Sequence, residues 1–163
     1  MISEKLVTLS MKRSLVTEEF REIQANIHFS EEGANCRVIL VTSPSEGEGK
    51  TTIAANLAIS MALQGESVLL IDANLSKPAM HSLFKIRNTI GLTDLLMRET
   101  TLGQAVYPNW VETLAILTTG EKLPKAGLLG SGVMNEILFE ATEIYDKVII
   151  DSASILEATD TKL

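Results

Sequence analysis

Residues 38–52 read Val-Ile-Leu-Val-Thr-Ser-Pro-Ser-Glu-Gly-Glu-Gly-Lys-Thr-Thr, and this stretch decides the fold. An apolar run gives way to a glycine-rich turn, and Lys50-Thr51 opens a segment with helical apolar spacing. Such a turn presents a row of backbone N–H groups at the positive end of a helix dipole, which favours phosphate. Glu46, Gly47, Glu48, Gly49, Lys50, Thr51 and Thr52 are therefore expected to hold the phosphates of a nucleotide. Lys50 would reach them as a point charge, and the Thr51 hydroxyl would ligate Mg2+. The motif G-x-x-x-x-G-K-[ST] is matched except at its first glycine, where Pro44 stands. A coincidental glycine-rich loop is the competing reading, and the flanking strand and helix patterns disfavour it.

On either side, strand and helix signals alternate. Residues 1–15 are weakly patterned and read as a mobile or partner-bound arm. Residues 16–28 place Val16, Phe20, Ile23 and Ile27 on one helical face, with Thr17 as candidate N-cap. After a polar turn, Ser30 to Asn35, the run Arg37 to Thr42 reads as a parallel strand covered on both faces. Lys50 to Gln64 is a helix with Ile53, Leu57, Ala58 and Met61 turned inward and Gly65 just past its end. Ser67 to Asp72, Thr113 to Thr118 and Lys147 to Asp151 read as further strands. Short helical pieces fall within 79–106, and Met134, Ile137, Leu138, Ala141 and Ile144 mark a later amphipathic helix. The alternation predicts an α/β fold, a doubly wound and mainly parallel sheet with helices on both faces. Residues 1–30 read as an arm and contact helix, and residues 31–163 as the nucleotide-binding domain.

Ligands of such sheets bind beyond the carboxyl ends of the strands, where the glycine-rich loop, Asp72 and Asp151 all fall. A lone Asp at a strand end is ordinarily a solvated carboxylate. Two of them behind a phosphate loop point to Mg2+, which prefers phosphate oxygens, water, a hydroxyl and one or two carboxylates. Thr51, Asp72 and Asp151 are the candidate metal ligands.

Composition narrows the function classes. At 163 residues with 45% hydrophobic but only 4% aromatic content, the chain suits one domain with an aliphatic core. A net charge of −7 and no basic stripe disfavour nucleic acid as a partner. Cys36 is the only cysteine, so no disulfide forms within the chain, and a reducing cytoplasm is the expected location. No apolar run approaches the ~18 residues of a membrane helix, so any membrane association is expected through a partner.

The order of motifs adds a family. Val-Leu-Leu-Ile-Asp-Ala-Asn-Leu-Ser-Lys-Pro, residues 68–78, resembles the Walker A′ motif of bacterial protein-tyrosine kinases, a P-loop class shared with partitioning ATPases. Thr17 to Ser30 resembles the family's N-terminal helix, Ile53 to Ala58 its P-loop helix, and Val148 to Asp151 its Walker B strand. Gly91 to Leu96 and Leu128 to Ser131 also fall where the family has such segments. The resemblance implies a cytoplasmic kinase that uses ATP and Mg2+ to phosphorylate tyrosine, commonly its own in a subunit ring. It also implies activation by a membrane adaptor, and control of capsule or exopolysaccharide synthesis and export. Lys50, Asp72 and Asn74 then occupy the catalytic positions, and Glu18 and Arg21 those of a contact between identical subunits.

Departures cluster at the chemistry. Asn74 stands for the second Walker A′ aspartate, Ser76 for an arginine, Gln24 for the second arginine of the contact motif, and Ala153-Ser154 for prolines. Residues 123–127 follow a Pro-rich segment only loosely, and family members continue past Walker B with an adenine-contacting segment and a tyrosine cluster. The strand that follows in the family pairs beside the P-loop strand, so without it an exposed apolar edge is expected. Three readings result: an active or weakened kinase, an ATP-binding regulatory module without transfer, and a partitioning-type ATPase. The last ranks lowest, because Ser43-Pro44-Ser45 lacks that group's signature lysine. His28, His81, Cys36, Tyr145, Trp110 and Glu31-Glu32 read as structural or surface residues.

Overall fold

The computed structural model describes residues 3–11, 14–30, 36–108, 111–122 and 127–155. The turn over 31–35, Trp110 and the segment over 123–126 lie outside the described residues. The helices are α1 (Val7–Ser10), α2 (Leu15–Phe29), α3 (Lys50–Leu63), α4 (Met80–Phe84), α5 (Leu92–Leu96), α6 (Leu102–Ala105) and α7 (Gly132–Ile144). The strands are β1 (Val38–Val41), β2 (Val68–Asp72), β3 (Tyr107–Pro108), β4 (Leu114–Leu117) and β5 (Lys147–Asp151). They form one sheet in the order β1-β5-β2-β4-β3. All neighbours run parallel except β3, a two-residue strand antiparallel to β4 that the sequence pattern does not reveal.

β2 and β5 are buried at every residue, as their apolar runs require of central strands. They pair in register, so Asp72 and Asp151 end side by side. β1 corrects the expectation of a strand covered on both faces. It is the edge strand, with Val38 37% and Leu40 41% exposed. An apolar run alone does not say whether a strand is central.

Two apolar clusters flank the sheet. One joins Leu6, Phe20, α3 and α4 to Val68, Leu70 and Ile116. The other joins α5, α6 and α7 to Leu69, Ile71, Leu117, Val148 and Ile150. Helix α3 is buried almost all round from Ala54 to Ala62, although Ile53, expected inward, is exposed. On α7, Met134, Ile137 and Ala141 are buried and Ile144 is exposed. Gly91 touches the end of β4 so closely that a Cβ there would lie 2.3 Å from the Thr118 carbonyl oxygen.

The N-terminal segment differs from the expected arm. Leu6 is fully buried, and Asn56 of α3 accepts from the Thr8 N–H and hydroxyl at 3.0 and 2.8 Å and donates to the Lys5 carbonyl at 2.8 Å. The same amide donates to the Thr52 carbonyl, which leaves no Asn56 polar atom idle in an apolar setting. In α2, Ser14 rather than Thr17 is the N-cap, accepting from the Thr17 N–H at 3.2 Å. The buried face is Thr17, Phe20 and Gln24, not the Val16 and Ile23 that apolar spacing singles out. Gln24 earns its burial by accepting from Ser60 at 3.2 Å and donating to Glu66 at 2.8 Å.

This docking is testable. Leu6→Ala should lower the unfolding free energy by about 2–4 kcal/mol in urea titration, as a core truncation does. Leu15→Ala, at a position 84% exposed, should change it by less than ~0.5 kcal/mol. Equal effects would mean that residues 3–11 do not pack on α3.

Candidate functional site

The phosphate loop leaves β1 at Thr42 and is fastened to the segment after β5. The Thr42 hydroxyl donates to the Ala153 carbonyl at 3.1 Å, and the Ser152 and Ile155 N–H groups donate to the Val41 and Ser43 carbonyls. Within the loop the Ser43 hydroxyl donates to the Ser45 carbonyl at 2.6 Å. Gly47 and Gly49 adopt φ of 80° and 87°, a region that costs other residues strain, and Gly49 is the residue from which α3 starts. Their Cβ positions meet nothing within 4 Å, so backbone conformation alone is what demands glycine there. Pro44 at the first motif position leaves this geometry intact.

Lys50 is buried at the first turn of α3, and Thr51 beside it donates its hydroxyl proton to Asp151 Oδ2 at 2.6 Å. Asp151 is fully buried, and its Oδ1 has no partner among the described residues. Burial first, and the neighbouring Asp72 charge, push its carboxyl up to about 7 against the opposing pull of the Thr51 bond and Lys50. An unpartnered buried carboxylate oxygen next to a motif threonine is the donor set a hard cation needs, so these residues fit Mg2+. Thr51 and Asp151, one hundred residues apart in sequence, are thus brought together.

Asp72 is also fully buried, and burial raises its carboxyl to about 6. Its oxygens are occupied differently. Oδ1 accepts from the Asn74 N–H at 3.1 Å, and Oδ2 from the Ala79 and Met80 N–H groups at 3.1 and 3.0 Å. Asp72 therefore ties down both ends of the turn that follows β2. Asn74 Oδ1 accepts from the Lys77 N–H at 3.2 Å and holds the middle of that turn. Lys77 in turn forms an ion pair with Glu46 of the phosphate loop. Sequence reading missed this link. The only signal was a basic residue in the Walker A′-like segment and an acidic one in the loop.

Glu18 and Arg21, half-exposed on α2, pair with each other at 2.5 Å. Glu48 and Thr52 lie at the loop and the first turn of α3, with Glu48 exposed. Among the described residues there is no cluster of three His, Cys, Asp or Glu side chains placed to hold a metal, and no helix is long and apolar enough to cross a membrane.

An AAA domain family model matches residues 36–162. Tyrosine-protein kinase YwqD of Bacillus subtilis (strain 168) is 39% identical over 99% of this chain and 69% of its own length. The chain spans about two thirds of the length of such curated relatives. The crystal structure of the chimerical protein CapA2B2 superposes with a TM-score of 0.90 at 32% identity, covering 97% of this chain and 70% of that one. The septum site-determining protein MinD of Pyrococcus horikoshii, solved with Mg-ADP, gives a TM-score of 0.58 at 27% identity over 71% of this chain and 48% of that one. With its α/β sheet, phosphate loop and paired strand-end aspartates, the chain belongs to the bacterial tyrosine-protein kinase family of P-loop proteins.

Proposed function

We propose that the chain binds Mg-ATP at residues 46–52 and supports transfer of the γ-phosphoryl group to tyrosine in a cytoplasmic assembly that governs capsule or exopolysaccharide export. The observation that carries this reading is the Thr51–Asp151 hydrogen bond beside the unpartnered Asp151 Oδ1. Thr51 and Asp151 would hold Mg2+, with Asp72 as neighbour, and the cation would neutralise phosphate charge there. Lys50 and the backbone N–H groups of 46–52 would bind and orient the phosphates, the dominant demand in phosphoryl transfer. A membrane adaptor as activator, self-association through Glu18 and Arg21, and a tyrosine-bearing protein as acceptor complete the proposal.

A second reading is a nucleotide-binding regulatory module that transfers little. It is favoured by Asn74, whose amide has no basicity and whose Oδ1 is already engaged by the Lys77 N–H. Family relatives' names speak for the kinase reading and the amide for the regulatory one.

Lys50→Met should weaken Mg-ATP binding by on the order of 100-fold in calorimetric titration, since a charge-assisted contact to phosphate is lost. Wild-type binding that survives the substitution would overturn the proposed site. Asn74→Asp should keep the turn and raise phosphotyrosine formation, by up to about 100-fold if the position supplies a proton acceptor. A variant as inactive as the wild type would place the loss elsewhere.

The raised carboxyls also set a pH dependence. Folding favours the neutral forms of Asp72 and Asp151, so their contribution to stability is full below the ordinary carboxylate range near 4. It falls as pH climbs towards about 7. In metal-free buffer, Asp151→Asn should therefore gain in urea midpoint over the wild type between about pH 5 and 8. Parallel curves would contradict the burial cost assigned to Asp151.

A further inference from the structure

We infer that Lys77 is the residue by which this chain distinguishes a nucleoside triphosphate from a diphosphate, with Glu46 holding it over the phosphate loop until a terminal phosphate takes the carboxylate's place; this rests on nucleotide binding at residues 46–52. Lys77 and Glu46 lie 31 residues apart, one in the turn after β2 and the other in the phosphate loop, yet their side chains form an ion pair. The pairing is not an accident of two long surface side chains, because the lysine's backbone is fixed. Asp72 anchors the turn at Asn74 and again at Ala79 and Met80, and Asn74 fixes Lys77 itself through the N–H bond of 3.2 Å. The anchor, Asp72, stands in register with Asp151, which bonds Thr51 at the start of α3. Lys77 thus reaches Glu46 of the phosphate loop from the turn after β2, one strand removed from the β1 that launches the loop.

Position separates the tasks of the two lysines. Lys50 rises from within the loop at the buried start of α3 and is placed for the phosphates the loop encloses. A cation that reaches across from outside the loop meets the outermost phosphate. Lys77 is the only basic residue of the turn 73–79, since Ser76 carries no charge. Its pair with Glu46 is open to solvent, 58% and 48% exposed, so it is weak and exchangeable. A terminal phosphate with up to two charges and three acceptor oxygens is a stronger partner for an ammonium than one carboxylate. Glu46 therefore acts as a stand-in anion: it keeps the cation oriented in the nucleotide-free chain and yields it when a γ-phosphate is present.

The test is calorimetric titration of Mg-ADP and of a non-hydrolysable Mg-ATP analogue into the wild type, Lys50→Met, Lys77→Met, Glu46→Gln and the Lys77→Met/Glu46→Gln double variant. Lys77→Met should weaken the triphosphate analogue about tenfold and ADP by less than about twofold. Glu46→Gln should tighten the triphosphate analogue by about threefold or more, and that gain should vanish when Lys77 is also replaced. Equal weakening of both nucleotides by Lys77→Met, or none, would overturn the inference. A Glu46→Gln gain that persists without Lys77 would assign it to lost repulsion and overturn the stand-in role. Wild-type chain that fails to bind ADP, or binds it without need of Lys50, would defeat the nucleotide site itself and this inference with it. Lys50-dependent ADP binding with an unchanged Lys77→Met ratio would defeat this inference alone.

Discussion

The hydrogen bond from Thr51 to Asp151 is the constraint on which the site depends. It joins the first turn of α3 to the end of β5, and β5 lies between the strand that launches the phosphate loop and the strand that ends in Asp72. Because the three strands are parallel and in register, the loop, both aspartates and the turn after β2 open at one edge of the sheet. The bond also explains why a carboxylate with one idle oxygen is kept in the interior. Such a group opposes folding and has its proton affinity raised by burial. Local rules violated in this way mark function more reliably than rules obeyed.

The N-terminal segment extends the same logic away from the chemistry. Asn56 fixes residues 5–8 to the helix that begins in the phosphate loop, and Gln24 fixes α2 to the far half of that helix through Ser60 and to Glu66 beyond its end. The helix carrying Lys50 and Thr51 is thereby clamped along its length by buried amides. Asn56 has both N–H groups and its oxygen engaged and Gln24 both donates and accepts, and satisfied polar groups rigidify a core rather than weaken it.

What was legible in the sequence follows from which interactions have a period. β2 and β5 are uniformly apolar and end in Asp, and the glycine-rich loop has fixed spacing, so strands, loop and aspartates were readable from residue order. The face of α2 was not, because apolar spacing favours Val16 and Ile23, whereas the buried positions include Thr17 and Gln24, whose partners lie elsewhere in the chain. The edge position of β1 was legible only from the family resemblance, because Val-Ile-Leu-Val by itself reads the same whether a strand is central or terminal. The Lys77–Glu46 contact has no periodicity to reveal it, only one residue of each charge in two segments, since it depends on how two loops from different strands meet.

Asn74 shows how binding and transfer make separable demands on one turn. The turn needs an oxygen at this position to accept the Lys77 N–H, and an amide provides it as well as a carboxylate does. Transfer from ATP to a hydroxyl needs the proton to go somewhere. Both oxygens of Asp72 are engaged by backbone N–H groups, and among the described residues Asp151 Oδ1 is the only buried carboxylate oxygen without a partner. If that oxygen serves Mg2+, Asp72, whose oxygens backbone N–H groups already engage, is the one ionisable group left among these three side chains, and the Asn74 amide adds no second. Replacing Asp by Asn at position 74 thus preserves the scaffold that presents Lys77 while removing the group whose loss the phosphate-binding geometry would not register. In the proposed site, nucleotide binding would rest on main-chain N–H groups, Lys50 and Thr51, whereas transfer would also need an ionisable acceptor, so loss of a carboxylate at position 74 would weigh on transfer before binding.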